Sequence, residues 1–357
     1  MNVSALKRAR ELRGLSANAL AARVGVSQPA LSQIESGRIN ASPETVRKIA
    51  DALGVPTEFL VRQPRSISDG SFGLFRAHSS KVNQTEGKQI RQLGSVVFEF
   101  TEKLAEGIER PEVQIPRIFG EKPALAAEKA RNLLGFGSEE PIGNLTRRLE
   151  RLGVMIVKAD LKQDAVFGYS FWANDRVPRP FIALSHHQTP YRLRWTLAHE
   201  AGHILLGHEY SATDPKVADQ EADQFAAALL VPVEALTEDV FEGVNLSALS
   251  RLKARYGVSM AALARRTHDT GLIDHSRYES LVVQMSRLGW RKSEPGDDTA
   301  QHEEPILLKQ MIEAKYGPGF VPEKVAAHLG YPEDAVFPSM VTTKSFLVSM
   351  KLRSLIG

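Results

Sequence analysis

Cysteine is absent from all 357 residues. That excludes disulfides and thiolate ligands, so any metal ion this chain holds must be held by nitrogen and oxygen ligands such as histidine and carboxylate. Long apolar runs are absent too. None approaches the roughly 20 residues needed to cross a bilayer, and Met1-Asn-Val-Ser-Ala-Leu-Lys-Arg8 lacks the apolar stretch of a secretory signal, so a cytoplasmic location is expected. There is no excess of one charge over the whole chain, with 45 basic and 42 acidic residues, and no internal repeat or low-complexity tract. What is present is an ordinary globular composition, 43% hydrophobic, at a length that suits two or three compact units.

The most informative stretch is Trp195-Thr-Leu-Ala-His-Glu-Ala-Gly-His-Ile-Leu-Leu-Gly-His208. Positions i and i+4 share one face of a helix, so His199 and His203 can grip one zinc ion while Glu200 sits beside it. Leu197, Ala201, Ile204 and Leu205 give the same helix an apolar face for packing. A second helical period, Ala222, Phe225, Ala226 and Leu229, ends at Val231-Pro232 and can return an acid to the metal. Catalytic zinc takes three protein ligands and leaves a fourth position to water. Glu221 is the expected third ligand, with Asp219 and Asp223 as alternatives. Glu200, between the ligands, is expected to be the general base for water attack on a peptide carbonyl. Tyr169, His208 and Tyr210 are near enough in sequence to be considered as oxyanion stabilisers, and none is assigned that role.

The stretch from Arg192 through His208, followed by Glu221-Ala-Asp-Gln-Phe-Ala-Ala-Ala-Leu-Leu-Val-Pro232, resembles the ImmA/IrrE family of bacterial zinc peptidases. Including the strand-like Phe181-Ile-Ala-Leu-Ser185, the likeness covers about residues 140 to 270. It implies zinc ligands at His199, His203 and Glu221 with Glu200 as base, and a zincin-like fold. Trp195 departs from the family, which more often carries Phe there.

A second pattern lies at the other end. Leu6 to Leu15 reads as a basic helix, Ser16 caps a helix over Ala17 to Val24, and Ser27 caps another over Gln28 to Ser36 with Pro29 in its first turn. Ser42 to Leu53 and Pro56 to Leu60 supply two further short helices. Leu20-Ala-Ala-Arg-Val-Gly-Val-Ser-Gln-Pro-Ala-Leu-Ser-Gln-Ile-Glu-Ser-Gly37 resembles the XRE, or Cro/C1-type, helix-turn-helix over about residues 3 to 62. The resemblance implies a recognition helix in the major groove of double-stranded DNA, with Gln28, Ser32 and Gln33 reading base edges, and a homodimer on paired half-sites. Ala17 departs from the Gln that many relatives carry for a backbone contact. Residues 1–65 hold ten basic and five acidic side chains, a local net charge of +5 that places phosphate binding here, the basic first helix included.

Between these patterns, residues 63–80 read as a Ser, Gly and Pro linker in which Phe72, Leu74 and Phe75 suggest docking. Helices are expected over Lys88 to Glu109, Pro123 to Leu134 and Ile142 to Leu152, then strands over Gly153 to Ala159, Val166 to Trp172 and Pro180 to Ser185. Helices follow over Leu246 to Tyr256, Ser259 to Thr267 and Ser276 to Leu288. A polar break at Arg291 to Glu304 precedes helices at Glu304 to Tyr316 and Pro322 to Leu329 and a strand-like tail. His302 and the pair His186-His187 read as surface histidines. The expected fold is mainly α with a small β-sheet (α+β). Its parts are a DNA reader at 1–62, a connector at 63–139, a peptidase core at 140–245 and a helical extension at 246–357. Two functions fit. One is a DNA-binding regulator whose zinc endopeptidase cuts a protein substrate, a transcriptional repressor; the other is a regulator whose peptidase-like domain is a non-catalytic sensor or interaction module.

Overall fold

The computed structural model describes residues 1–64, 83–159, 161, 166–173, 178–208, 213–291, 293–298 and 300–337. The chain folds as two units, one of residues 1–110, 158–165 and 307–357, the other of 111–157 and 166–306. Among the described residues helices dominate and three strands form one sheet, which is the expected α+β class. Among the described residues no helix is long and apolar enough to cross a membrane.

The first unit opens with α1 (Val3–Leu12), α2 (Ala17–Val24), α3 (Gln28–Glu35), α4 (Pro43–Leu53) and α5 (Thr57–Val61). Ser16, Ser27 and Ser42 accept hydrogen bonds from the backbone N–H three residues on, satisfying donors that a helix start leaves free. Gly25 and Gly54 end α2 and α4 at φ 75° and 58°, left-handed values that side chains with a Cβ resist. Leu6, Leu20, Leu31, Ile49, Phe59 and Leu60 are fully buried between these helices. Next comes α6 (Gln84–Ala105), which starts earlier than the apolar period suggests because Asn83 and Glu86 form a reciprocal capping box.

Helix α6 packs on α1, so the core does not close at residue 62. Arg8 pairs with Glu99 of α6, both side chains almost wholly buried, and its guanidinium lies 4.6 Å from the Phe59 ring centre.

The second unit holds α7 (Pro123–Leu134), α8 (Leu145–Arg151), α9 (Pro190–Leu206), α10 (Pro215–Leu230), α11 (Val233–Asp239), α12 (Leu246–Tyr256), α13 (Met260–Asp269) and α14 (His275–Arg287). The sheet, ordered β1-β3-β2, comprises β1 (Met155–Ala159), β2 (Gly168–Ala173) and β3 (Arg179–Ser185). β2 and β3 run antiparallel, Gly168 opposite Leu184 and Ser170 opposite Ile182. Helix α9 packs on β2, β3 and α10, and α10 packs in turn on α7. Leu197, Ala201, Ala222, Phe225 and Ala226 are fully buried where the helices meet.

The expected polar break after α14 is tied down by charge. Glu294 accepts from the N–H of Met260 and Ala261 at the start of α13 and from Lys253 Nζ at 2.9 Å, and Asp297 takes a second bond from Lys253. Glu303 pairs with Arg194 of α9 and accepts from the Thr146 N–H at 2.9 Å.

Helices α15 (Leu307–Tyr316), α16 (Pro322–Leu329) and α17 (Glu333–Val336) return to the first unit. Phe100 of α6 meets Tyr331 and Phe337 edge-on at 5.7 and 5.3 Å between centroids. Arg13 bonds Asp334 at 2.6 Å, and Arg62 bonds the Leu329 carbonyl at 2.7 Å. The unit boundaries therefore split the expected connector at residue 110 and the expected extension at residue 306. The apolar residues of the linker and the strand-like tail fall within 65–82 and 338–357, outside the described residues.

Candidate metal centre and DNA-reading face

Helix α9 begins with Pro190 in its first turn and ends at Gly207, φ 68°. His199 and His203, one turn apart, bring their Nε2 atoms to 3.1 Å of each other. Close approach of α10 is possible because Gly202 has no side chain. A Cβ there would stand 3.0 Å from Phe225 Cδ1 and 3.3 Å from Ala222 Cα. The carboxylate that joins the histidines is that of Asp219: one donor atom from each of His199, His203 and Asp219 lies within 4.8 Å of the others. Zinc with nitrogen ligands at about 2.0–2.1 Å in a tetrahedron sets neighbouring donors about 3.3 Å apart, so two imidazoles and a carboxylate so placed fit the ion in number, type and spacing. His199 Nδ1 lies 2.8 Å from Asp223 Oδ1, the outer carboxylate contact that orients a ligating imidazole.

Glu221, expected as the third ligand, is placed differently. Its Oε2 is 3.0 Å from His208 Nε2, and His208 Nδ1 is 2.8 Å from His203 Nδ1. The reason is helical phase. At about 100° per residue, Asp219 and Asp223 lie on one flank of the buried Ala222 direction and Glu221 lies about 100° away on the other.

Glu200 is buried on the side of α9 that faces β2. Ser170 donates its hydroxyl to Glu200 Oε2 at 2.6 Å. Gly168 leaves the room this carboxylate needs, since a Cβ there would stand 2.8 Å from Thr196 Cγ2 and 3.1 Å from Glu200 Oε1. Burial pushes the Glu200 carboxyl up to about 7 against the opposing pull of His199 and the Ser170 hydrogen bond, with Asp219 adding to the rise. A carboxylate so poised can both take and return a proton near neutrality. Asp219 is pushed up to about 6, chiefly by burial, with His199 opposing. For His199, burial pulls the value down, but the Asp223 hydrogen bond and the charges of Glu200, Asp223 and Asp219 together hold it above the ordinary imidazole value.

Ser170 and Gly168 belong to no motif. Only strand alternation, which puts residues 168, 170 and 172 on one face, could have pointed to them. Of the oxyanion candidates, Tyr169 is buried in β2 with its phenol raised by burial and then by Glu200, His208 sits in the contact just described, and Tyr210 lies outside the described residues.

On α3, Gln28, Ser32 and Gln33 are all exposed while Leu31 and Ile34 are buried. Measured from Gln28, Ser32 lies about 40° and Gln33 about 140° around the helix, so the three span one solvent face. The expected phosphate-binding role of the first helix needs correction. Arg8 is buried against Glu99, Arg10 is held by Glu35 at 2.6 Å, and Arg13 is held by Asp334. On α1 the exposed positive charge is that of Lys7, and outside that helix Arg23, Arg38, Arg47 and Lys48 are exposed.

Comparison with known families matches residues 149–268 to the IrrE N-terminal-like domain of the M78 peptidase family and residues 6–60 to a helix-turn-helix family. No curated protein matches the chain. The buried His-Glu-x-x-His helix falls within the first match and the exposed α3 face within the second. The chain thus joins an XRE-type helix-turn-helix domain to an ImmA/IrrE-like domain of the M78 peptidase family.

Proposed function

We propose that this DNA-binding regulator is also a zinc-dependent endopeptidase, with His199, His203 and Asp219 as ligands and Glu200 as general base. The observation that carries the reading is the convergence of two imidazole Nε2 atoms and a carboxylate beside a buried glutamate whose carboxyl is raised to about 7. Zinc, when bound, supplies Lewis acidity toward a peptide carbonyl and toward water. Glu200 takes a proton from the attacking water at its carboxylate and hands it to the departing amine. Ser170 holds Oε2, leaving Oε1 as the working oxygen. Among the described residues β2 is an edge strand of the sheet, and an extended peptide can pair along it within reach of Glu200.

The substrate in this reading is a protein, a transcriptional repressor or other regulator, because the peptidase is carried on a DNA reader. Gln28, Ser32 and Gln33 read bases in the major groove, and two copies of the chain bind half-sites one helical turn apart. Replacing Glu200 by Gln keeps size and leaves the ligands in place. Proteomes of cells carrying wild type or Glu200→Gln should differ by a protein that accumulates intact only with the mutant, while zinc content and DNA binding stay equal. Cleavage by the mutant at the wild-type rate would overturn the mechanism. Absence of any cleaved protein in wild type, with DNA binding retained, would leave the domain as a sensor.

A further inference from the structure

We propose that His208 is a positioning residue, holding His203 in the one tautomer that can ligate a metal through Nε2, and that Glu221 anchors this relay instead of binding the ion. The proposal rests on the metal-centre reading above. It follows from donor and acceptor roles along three side chains. Glu221 Oε2 can only accept, so the 3.0 Å contact requires the proton of a neutral His208 to sit on Nε2. His208 Nδ1 then carries no proton and can only accept. The 2.8 Å contact between the two Nδ1 atoms is therefore donated by His203, whose proton sits on Nδ1 and whose Nε2 carries a lone pair. On the other histidine, Asp223 accepts from His199 Nδ1, which leaves His199 Nε2 unprotonated by the same logic.

Two unprotonated nitrogens 3.1 Å apart, with Asp219 Oδ1 3.7 Å from His203 Nε2, make a site suited to a cation. Each imidazole is thus oriented by a carboxylate, directly for His199 and through His208 for His203. Both His203 and His208 are buried, so water does not compete freely for the Nδ1 atoms. The Glu221 oxygen that meets His208 is the partner that fixes the tautomer of that ring.

The test is the zinc dissociation constant of the full chain, stripped of metal and titrated against a chromophoric chelator, with thermal unfolding of the metal-free protein as the control for fold. His208→Ala should weaken zinc binding about 10- to 100-fold, the usual loss when an outer partner of a ligand is removed. His208→Asn, whose amide oxygen can accept from His203 Nδ1, should recover most of that loss. Glu221→Gln keeps an acceptor oxygen and should cost no more than His208→Ala, whereas Asp219→Asn should approach the loss seen with His203→Ala. Wild-type zinc affinity in His208→Ala would overturn the relay, whatever happens to unfolding, because a merely structural histidine affects stability alone. A Glu221→Gln loss as large as that of His203→Ala would also overturn it, by making Glu221 a ligand. Failure of the wild-type chain itself to bind zinc would remove the metal centre and the relay together, and that outcome is visible before any variant is made.

Discussion

Replacing Gly202 by Ala adds one methyl group where α9 and α10 approach closely, and its effects oppose one another. The new Cβ would sit 3.0 Å from Phe225 Cδ1 and 3.3 Å from Ala222 Cα, closer than carbon atoms pack. Phe225 is fully buried and Ala222 offers backbone, so neither can step aside; the helices must separate by a few tenths of an ångström. Overpacking of this kind costs about 1–3 kcal/mol. Against it, alanine in a helix interior is favoured over glycine by about 0.5–1 kcal/mol. Where the packing cost is fully expressed the net is a loss of about 0–2.5 kcal/mol, and in a metal-free chain that relaxes only the helix gain of about 0.5–1 kcal/mol is left. Zinc affinity is the sharper measure. The metal-free chain can relax by letting α10, which carries Asp219, drift from α9, which carries both histidines, and binding must draw them together again. Nearly all of the packing cost then falls on binding, while the helix-propensity gain, present with or without metal, cancels. The expected result is a zinc dissociation constant about 5 to 150 times weaker, for a cost of about 1–3 kcal/mol. Chelator competition on wild type and Gly202→Ala measures it directly. A variant that bound zinc as tightly as wild type would refute the argument that close helix approach builds the site.

Gly168→Ala should lower cleavage about 100-fold with zinc content unchanged, because the added Cβ displaces Glu200 Oε1 and Thr196; turnover at the wild-type rate would show that Glu200 does not need that clearance. Glu99→Ala should strand the buried Arg8 charge and lower stability by about 3–5 kcal/mol in urea titration, and adding Arg8→Leu should restore much of it. An unchanged midpoint in the single variant would refute the account of that pair. Arg47→Gln should reduce the slope of log affinity against log salt for DNA by about 1, while Arg10→Gln, already bound to Glu35, should leave the slope alone. Equal changes in both would show that the pairing of Arg10 does not keep it from phosphate.

The parts of this fold legible in the sequence are those governed by residues a few positions apart. Ser16, Ser27 and Ser42 cap the helices their spacing suggests, and α2, α12 and α16 span the residues that apolar period and turn residues mark out. His199, Glu200 and His203 are legible for the same reason, since one helical turn fixes their mutual geometry. Long-range charge pairing is not legible in this way. Arg8 and Glu99 are 91 residues apart, and Arg194 and Glu303 are 109 apart. A local reading sees only a basic helix in the first case and a polar break in the second. Burial converts the one into core and the other into a strap against α9.

The third ligand falls between these cases. Asp219, Glu221 and Asp223 all lie within five residues, and the buried direction of α10 follows from Ala222, Phe225, Ala226 and Leu229. That direction alone leaves two flanks equally placed, Asp219 and Asp223 on one and Glu221 on the other. Which flank meets the histidines depends on how α9 and α10 cross, and that is set where Gly202 lets Phe225 and Ala222 approach. Spacing within α10 carries no information about that crossing. His208 then decides what becomes of the remaining acid: placed just past the end of α9, it takes Glu221 at one ring nitrogen and His203 at the other. In the relay proposed above, a carboxylate on the far flank joins the hydrogen-bond network around the two histidines without being among the proposed metal donors.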